Sequence, residues 1–370
     1  MREYYVGEPN ILNKELFLKR ASDILDSRRL TNGGKYVKEL EYEVEQYLNV
    51  GHAIAVSNAT VGLELALRAF LKRDSLVFVP SFTFIATIHA IKNAGGIPCF
   101  IDIEDDFTIE LEKMAKNSLN NPFCPGKAIL ACNLFGNICN IERLKTIAKE
   151  NDIKLIYDSA HALGCLDEKS EKYVGNFGDC EIFSLHATKL VNSGEGGIIT
   201  TNNGELADKL RRMRNFGFSP TGGPQGEVID YGTNAKMSEL TAALGLTSFE
   251  SIQEIIGWNY ENFKAYKKYL PKEVSLMEPN TYFSNFSYII VEVDQSKRDS
   301  LVDYLQKHSI FARTYFQPCH LTTIYKTKQQ LNWLKTERKA KRVIALPTGI
   351  NVDKTDIKYI CEVIGEGLHG

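Results

Sequence analysis

Asp158 and Lys189 are the residues of this sequence whose types and positions point most directly to chemistry. Asp158 follows a mostly apolar run, 153–157, and is expected at the end of a strand, whereas Lys189 lies in a turn-like segment before the glycine-rich residues 194–197. A lysine amine can bind pyridoxal phosphate covalently, and a carboxylate can keep the pyridine nitrogen protonated so that the ring accepts electrons. Taken singly, Asp158 could cap a turn and Lys189 could be a surface residue, but the neighbouring motifs favour the cofactor interpretation.

Residues 57–60 (SNAT) could bind a phosphate group. They separate a predicted strand from a predicted helix, so the N–H groups of the turn and the Thr60 hydroxyl would face a ligand from a helix N-terminus. The alternative is a plain N-cap, because such residues often precede apolar helices for stability alone. Ser184, five residues before Lys189, could be a second phosphate contact or a buried serine that bonds to its own backbone.

Aromatic residues could contact the flat cofactor ring. Phe82 and Phe84 lie in residues 80–87 (PSFTFIAT), after another predicted strand. Offset stacking of one of them on the ring would contribute about 0.5–1.5 kcal/mol, and the alternative is that both belong to the core. His161, three residues after Asp158, could hydrogen-bond to the phenolic oxygen of the cofactor or could be satisfied by nearby backbone.

The composition argues against several other classes of protein. The chain has 370 residues with 44 basic and 46 acidic side chains, so it offers neither a basic face for nucleic acid nor a polybasic segment for a membrane. It has no apolar leader and no apolar stretch of about 18 residues, which predicts a cytoplasmic protein. The eight cysteines show no CxxC spacing, so we expect reduced thiols, no disulfide framework and no metal site.

Predicted strands and helices alternate along most of the chain, which indicates an α/β fold with a mostly parallel sheet. Strands are predicted at 53–56, 76–79, 97–101, 128–131, 154–157, 180–183 and 197–200, and helices at 61–70, 87–94, 141–150, 205–215, 236–256 and 261–269. A smaller α+β unit follows, with strands at 286–293 and 311–314 and helices at 297–307 and 354–368. We predict a large cofactor-binding domain over residues 1–258 and a small domain over 259–370.

Six motifs in this order resemble the DegT/DnrJ/EryC1/StrS family of sugar aminotransferases. They are SNAT at 57–60, PSFTFIAT at 80–87, DSAHA at 158–162, FSLHATK at 183–189, GEGG at 194–197 and GTNAKMSE at 232–239, and RTYFQPCH at 313–320 is similar to a later arginine-to-histidine segment of the family. The resemblance covers almost the whole chain. It implies the aspartate-aminotransferase fold (fold type I), with a mostly parallel seven-stranded sheet sandwiched by helices, a smaller C-terminal α+β domain, and pyridoxal 5'-phosphate as cofactor.

The resemblance also implies roles at the cofactor ring. Lys189 matches the lysine that binds the cofactor, and Asp158 matches the acid that faces the pyridine nitrogen, so these two are the expected catalytic residues. At the position of Phe84, family members place a residue that stacks on the ring. The position of His161 contacts the cofactor near its phenolic oxygen.

The phosphate contacts implied by the resemblance come from two subunits. Within one subunit they correspond to the Ala59 amide, Thr60 and Ser184. Asn234 matches an asparagine that reaches the phosphate of the neighbouring subunit, which implies a homodimer with shared active sites. The family often has Tyr-Arg after that asparagine, whereas this chain has Ala235 and Lys236, so the role of the basic residue stays open.

The function that the resemblance implies is that of a transaminase. It would move the amino group of L-glutamate to a nucleotide-linked keto sugar, for deoxyamino-sugar or polysaccharide biosynthesis. Residues 28–34 (RRLTNGG) and 234–239 look most similar to the branch that aminates dTDP-4-keto-6-deoxyglucose at C4. The residues expected in the sugar-nucleotide pocket are Thr31, Asn32, Gly33, Arg313 and His320. The alternatives are a 3-keto sugar aminotransferase, a sugar dehydratase on the same fold, and a non-catalytic regulatory relative.

Overall fold

A seven-stranded sheet forms the centre of the computed structural model, which describes residues 2–111, 127–219, 226–325 and 333–369. The strands are β1 (Tyr4–Tyr5), β2 (His52–Val56), β3 (Leu76–Pro80), β4 (Ile97–Ile101), β5 (Lys127–Cys132), β6 (Lys154–Asp158), β7 (Leu166–Asp167), β8 (Lys172–Tyr173), β9 (Cys180–Ser184), β10 (Gly197–Thr201), β11 (Ser275–Leu276), β12 (Ile289–Glu292), β13 (Ile310–Phe311) and β14 (Val343–Leu346). The large sheet has the order β2-β10-β9-β6-β5-β3-β4, and β10 is antiparallel to both of its neighbours while the other strands run parallel. All seven segments predicted for the large unit are strands of this sheet, so the predicted mostly parallel seven-stranded sheet is confirmed.

Helices cover both faces of the large sheet. The helices within the described residues are α1 (Lys14–Ser27), α2 (Lys35–Leu48), α3 (Ala59–Phe70), α4 (Ile85–Asn93), α5 (Ile141–Glu150), α6 (Gly204–Arg214), α7 (Glu239–Phe249), α8 (Ile252–Tyr269), α9 (Arg298–Lys307), α10 (Leu334–Ala340) and α11 (Lys354–His369). Apolar side chains of α3, α4 and α6 pack on one face, and those of α2, α5 and α7 pack on the other. Strands covered on both faces need apolar residues at every position, and consecutive Val77, Phe78 and Val79 of β3 are fully buried.

Some predicted elements differ from the structure. The helix predicted at 236–256 begins later, because Lys236 still pairs with Val56 as extended backbone and the Ser238 hydroxyl caps α7 by accepting from the Thr241 amide at 3.2 Å. It also divides in two, since α7 ends at Phe249 and α8 begins at Ile252. The strand predicted at 311–314 ends at Phe311, and Arg313 forms an isolated bridge with Ala345. α1, α2, α10 and β14 lie outside the predicted elements.

The C-terminal residues form a second packed unit. β11, β12 and β14 make an antiparallel sheet, and α9 and α11 contribute Leu301 and Ile360 to the core beside it. The N-terminal strand β1 pairs with β13, and Arg2 contacts Asp356 at 2.8 Å. The boundary predicted after residue 258 lies within α8, which continues to Tyr269, and the division into 1–258 and 259–370 stays a prediction.

Disulfides, membrane-spanning helices and metal sites were not expected, and the described residues bear on each of these features. The cysteines that the structure describes are buried and free, and Cys124 lies outside the described residues. Within those ranges no helix combines the length and apolarity that crossing a membrane requires. His, Cys, Asp and Glu side chains of the described residues form no cluster of three or more that could hold a metal ion.

Glu239 holds the turn before α2 in place. Its carboxylate accepts from the backbone N–H groups of Tyr36 at 2.8 Å and Val37 at 3.3 Å, which belong to the first turn of that helix. A carboxylate at a helix N-terminus satisfies donors that have no intrahelical partner. The preceding Gly34 leaves room for it, because a Cβ there would lie 2.6 Å from the carboxylate carbon.

Glu239→Gln is expected to destabilise the fold, because the amide NH2 that replaces one oxygen cannot accept a hydrogen bond from α2. The free energy of unfolding, measured by urea denaturation, should fall by about 1–3 kcal/mol. Glu43→Gln, at an exposed position of α2, is the control and should change it by less than about 0.5 kcal/mol. Equal stability of the two variants would contradict the capping role.

Candidate active site

A cavity of about 750 Å³ lies at the carboxyl edge of the large sheet. The ends of parallel strands meet at this edge, where open α/β sheets bind their ligands. Eight predicted site residues line the cavity, namely Ala59, Thr60, Phe84, Asp158, His161, Ser184, Lys189 and Arg313. The structure therefore brings together side chains that are up to about 250 positions apart in the sequence.

Lys189 lies in the loop between β9 and β10. Its amide donates to the His186 carbonyl at 2.9 Å, and its Nζ donates to the Tyr288 hydroxyl at 2.8 Å. Burial lowers the pKa of Lys189 to about 8, and this effect outweighs Asp158, which raises the pKa, while Arg313 lowers it further. Because a neutral amine is the form that acts as a nucleophile or accepts a proton, this site makes the reactive form accessible near neutral pH.

Asp158 is the last residue of β6 and is 9% exposed. Its Oδ2 accepts from the Thr87 hydroxyl at 2.7 Å, and its Oδ1 accepts from the Ala160 amide at 3.2 Å. Burial raises the pKa of Asp158, whereas the Thr87 hydroxyl, the Ala160 amide and the nearby Lys189 oppose that rise. The carboxyl group thus has two hydrogen-bond donors that favour its charged form in a buried position.

His161 belongs to a stack of rings on the cavity wall. Its ring lies 4.2 Å from that of Tyr288 and 5.6 Å from that of Phe135. Nδ1 accepts from the Phe135 amide at 3.3 Å. Burial, and then Lys189, hold the pKa of His161 well below its usual range, so the ring is neutral and carries its proton on Nε2. Such a ring can donate one hydrogen bond from Nε2, as the predicted contact to a phenolic oxygen requires.

Phe82 and Phe84 have different surroundings, although both follow β3. Phe82 is fully buried and packs against Phe107 and Phe135, so it belongs to the core. Phe84 precedes α4, is 57% exposed and lines the cavity. Strand alternation does not apply to this pair, because β3 ends at Pro80. Of the two rings, Phe84 is the one placed to contact a ligand.

The N-terminus of α3 forms another wall of the cavity. The Asn58 side chain accepts from the Val61 amide at 2.9 Å, which leaves the Ala59 and Thr60 N–H groups without intrahelical partners. β10 approaches this turn closely, since a Cβ on Gly197 would lie 2.7 Å from the Ala59 nitrogen. Ser184 ends β9 and its hydroxyl accepts from the His186 amide at 3.3 Å. Asn58 is therefore an N-cap, Ala59 and Thr60 line the cavity, and phosphate binding by these two residues stays a prediction.

Five predicted residues lie outside this cavity: Thr31, Asn32, Gly33, Asn234 and His320. Thr31 and Asn32 are exposed, and Asn32 and Gly33 line a separate cavity of about 120 Å³ beside Lys236. Asn234 accepts from Lys236 Nζ at 2.6 Å and does not line the main cavity of its own chain. Their assignments to the sugar nucleotide and to a neighbouring cofactor stay predictions.

His320 also lies away from the main cavity. It is 2% exposed, its ring stacks on Trp333 at 4.2 Å, and its Nδ1 lies 2.5 Å from the Ser81 hydroxyl. Its Nε2 is 3.4 Å from a Glu337 carboxylate oxygen. His320 therefore does not line the main cavity of its own chain, and its assignment to the sugar-nucleotide pocket stays a prediction.

Two residues that contact Asp158 and Lys189, the predicted catalytic residues, were not singled out from the sequence. Tyr288 immediately precedes β12 and reaches Lys189 across 99 positions. No local pattern marks it, because it is one aromatic residue in an aromatic-rich stretch. Thr87 lies within the motif at 80–87, but its contact with Asp158 depends on how α4 packs beside β6.

Comparison with known proteins decides the family. The model of the DegT/DnrJ/EryC1/StrS aminotransferase family matches residues 12–365. The chain belongs to this family. The predicted recognition and the prediction of an aminotransferase are therefore confirmed.

Relatives support the same assignment over their full lengths. The chain is 30% identical to a GDP-perosamine synthase of Vibrio cholerae over 366 residues, 97% of each chain. It is also 30% identical to a dTDP-4-amino-4,6-dideoxy-D-glucose transaminase of Shigella dysenteriae over 370 residues, 98% of each chain. The solved structure of DesI in the presence of its TDP-sugar product is 36% identical, with a TM-score of 0.90, and the match covers 98% of this chain and 92% of that one.

As a member of this aminotransferase family, the protein uses pyridoxal phosphate, and the residues of the cavity fit that cofactor. The free N–H groups of α3 suit its phosphate, the buried Asp158 suits a cationic ring nitrogen, and Lys189 suits its aldehyde. When bound, the cofactor supplies an electron-accepting ring for removal of a substrate proton. The individual residue assignments are predictions that the following variants test.

Gly197→Ala is expected to weaken cofactor binding, because the added Cβ would push against the start of α3 and displace the phosphate donors. The dissociation constant for pyridoxal phosphate, measured by titrating cofactor-free protein, should rise by about tenfold, as expected for loss of a hydrogen bond to a charged group. Gly204→Ala is the matched control, since its Cβ would meet only the His52 ring at 3.4 Å. Unchanged affinity in Gly197→Ala would contradict the phosphate assignment.

Acylation of Lys189 in the cofactor-free protein should rise with pH and have its inflection near pH 8, well below the value of about 10.4 for an ordinary lysine. Asp158→Asn should move the inflection to lower pH, because Asp158 stabilises the ammonium form, and Arg313→Gln should move it to higher pH. Mass spectrometry of the peptide that contains Lys189 measures the labelling. An inflection at the ordinary value, or shifts of the opposite sign, would show that Lys189 is not buried beside these charges.

Proposed function

We propose that this protein transfers the amino group of L-glutamate to a nucleotide-linked keto-deoxy sugar, with dTDP-4-keto-6-deoxy-D-glucose as the best candidate and the 4-amino-4,6-dideoxy sugar as product. The observation that carries the proposal is that Lys189 and the buried Asp158 line one cavity. The family assignment adds the reaction type.

Each residue has a defined task in this proposal. Lys189 accepts the α-proton of the donor and returns a proton to the product, for which its lowered pKa is suited. Asp158 keeps the ring nitrogen positively charged, so that negative charge developing at the substrate carbon is stabilised. His161, neutral and packed against both Phe135 and Tyr288, would donate from Nε2 to the phenolic oxygen. The α3 N-terminus binds the phosphate group.

The choice of acceptor sugar rests on the relatives. One is named for a GDP-linked sugar and another for a dTDP-linked 4-amino-4,6-dideoxy sugar, and DesI was solved with a TDP-sugar product. The higher identity to DesI, 36% against 30%, favours the thymidine nucleotide. Arg313 supplies a guanidinium at the cavity wall that can bind the carboxylate of glutamate or a phosphate of the nucleotide.

A homodimer with shared active sites is part of the proposal. Asn234 and the residues Asn32 and Gly33 lie around Lys236, outside the main cavity of their own chain. In a dimer they would complete the cavity of the neighbouring subunit, with Asn234 at the phosphate and the 31–33 turn at the sugar nucleotide. A cytoplasmic location is likewise proposed from the sequence.

The purified protein, loaded with pyridoxal phosphate, should lose the visible absorbance of the lysine-linked cofactor when L-glutamate is added, because the amino group moves to the cofactor. Subsequent addition of dTDP-4-keto-6-deoxy-D-glucose should restore that absorbance and yield the 4-amino sugar, identified by mass spectrometry. Lys189→Ala should bind the cofactor without that band and give no product, because it lacks the base.

A panel of GDP- and UDP-linked 4-keto sugars and dTDP-linked 3-keto sugars sharpens this test. Preference for another sugar of the panel would change the proposed acceptor and would leave the proposed aminotransferase activity unchanged. Absence of any response to glutamate would contradict the proposed amino donor, and product formation by Lys189→Ala would contradict the proposed base.

A further inference from the structure

Beside Asp158 lies a chain of buried hydroxyl and thiol groups that the proposed reaction does not use directly. Thr87 Oγ1 lies 2.7 Å from Asp158 Oδ2, and Thr83 Oγ1 lies 3.0 Å from Thr87 Oγ1. Cys132 Sγ lies 3.4 Å from Thr83 Oγ1. These side chains are 0–2% exposed, except for Asp158 at 9%, so bulk water does not compete for their hydrogen bonds.

The direction of hydrogen bonding along this chain follows from the number of protons available. An ionised carboxylate only accepts, so the single hydroxyl proton of Thr87 is directed to Asp158. Thr87 Oγ1 must then accept a hydrogen bond from the Thr83 hydroxyl, whose only proton is used in this bond. Thr83 Oγ1 in turn accepts from the Cys132 thiol. Every donor therefore points toward the carboxylate, and each bond polarises the next.

The geometry of Thr87 differs from that of a threonine that serves only its own helix. A threonine hydroxyl inside a helix commonly donates to the carbonyl four residues earlier, which here is that of Thr83. Thr87 donates instead across to the end of β6, and the Thr83 carbonyl accepts from the Cys319 thiol at 3.4 Å. The orientation of the hydroxyl is thus explained by the carboxylate that it meets.

We propose that Thr87 is a positioning residue for the reaction, and that Thr83 supports it: their hydroxyls hold the Asp158 carboxylate charged and aimed at the ring nitrogen of the cofactor. This inference rests on the proposed function, because it takes Asp158 to face that nitrogen. Thr83 and Phe84 immediately precede α4 and Thr87 lies in its first turn, so the same short segment carries both the aromatic residue that lines the cavity and the hydroxyls beside the acid. Among the groups that oppose the effect of burial on the pKa of Asp158, the Thr87 hydroxyl is the strongest.

The test compares Thr87→Val, which keeps the shape and removes the hydroxyl, with Thr87→Ser, which keeps the hydroxyl. Each variant is loaded with pyridoxal phosphate labelled with ¹⁵N in the ring, and the nitrogen chemical shift reports protonation. Wild type and Thr87→Ser should show a protonated ring nitrogen, whereas Thr87→Val should shift toward the unprotonated value. The half-reaction with glutamate should slow by about tenfold or more in Thr87→Val, as expected for loss of a hydrogen bond to a charged group, with a smaller change in the glutamate concentration for half-maximal rate.

Two further variants separate positioning from a merely structural role. In an Asp158→Asn background, Thr87→Val should cause no additional change in the nitrogen shift, because no carboxylate remains to be held. Thr83→Val should shift the nitrogen signal in the same direction as Thr87→Val but less, and it serves as the test if Thr87→Val does not fold. Urea denaturation of the cofactor-free variants checks that each one is folded.

The possible outcomes distinguish this inference from the proposal on which it rests. A wild-type nitrogen signal in both Thr87→Val and Thr83→Val would overturn the positioning role while leaving Asp158 as the partner of the ring. Equal shifts in Thr87→Val and Thr87→Ser would also overturn it, because the hydroxyl would then be irrelevant. An unprotonated ring nitrogen in the wild-type protein would overturn the role of Asp158 and this inference together.

Discussion

The site depends on two oppositely charged side chains being buried in the same cavity. Taking either charge out of water is costly, and each is tolerated because the other lies nearby and because Asp158 receives two hydrogen bonds. The balance between burial and the interactions that oppose its effect on the pKa differs between the two residues. Burial dominates at Lys189 and lowers its pKa to about 8, while donors from Thr87 and Ala160 work against the effect of burial at Asp158. Lys189 is thereby suited to exchange a proton. Asp158 is suited to face the positively charged ring nitrogen of the cofactor, as the proposal assigns.

The parallel sheet is what makes this arrangement possible. The carboxyl ends of β3, β5, β6 and β9 lie side by side, so the segments that follow them converge on one edge. The same edge receives the N-terminus of α3, whose close approach to β10 depends on glycine at position 197. The C-terminal unit contributes Tyr288 and Arg313 to the cavity wall. The Tyr288 hydroxyl accepts from the Lys189 amine, and Arg313 adds a positive charge.

Most of the large sheet, and the segments that carry the site, were predictable from the sequence. Buried parallel strands are continuous apolar runs, and β3, β5, β6 and β9 are followed by polar segments at the carboxyl edge of the sheet, where ligands bind. The convergence of Asp158 and Lys189 followed from that pattern and from the family motifs. The break between α7 and α8 was not predictable from periodicity, because only Glu250 and Ser251 separate the two helices and neither is glycine or proline.

Contacts between distant segments could not be predicted in this way. Tyr288 and Thr87 act through atoms brought together by packing, and single residues of common type carry no local signal for such contacts. The contacts of the His320 ring with Ser81 and Trp333 were likewise not predictable from its segment alone.

The most direct test of the central claim is to identify the lysine that carries the cofactor. The protein is incubated with pyridoxal phosphate, treated with borohydride to make the bond permanent, digested, and examined by mass spectrometry. The account predicts that the cofactor mass is found on the peptide containing Lys189, and that Asp158→Asn lowers the extent of labelling at a limiting cofactor concentration. Labelling at a different lysine, or no labelling at Lys189, would contradict it.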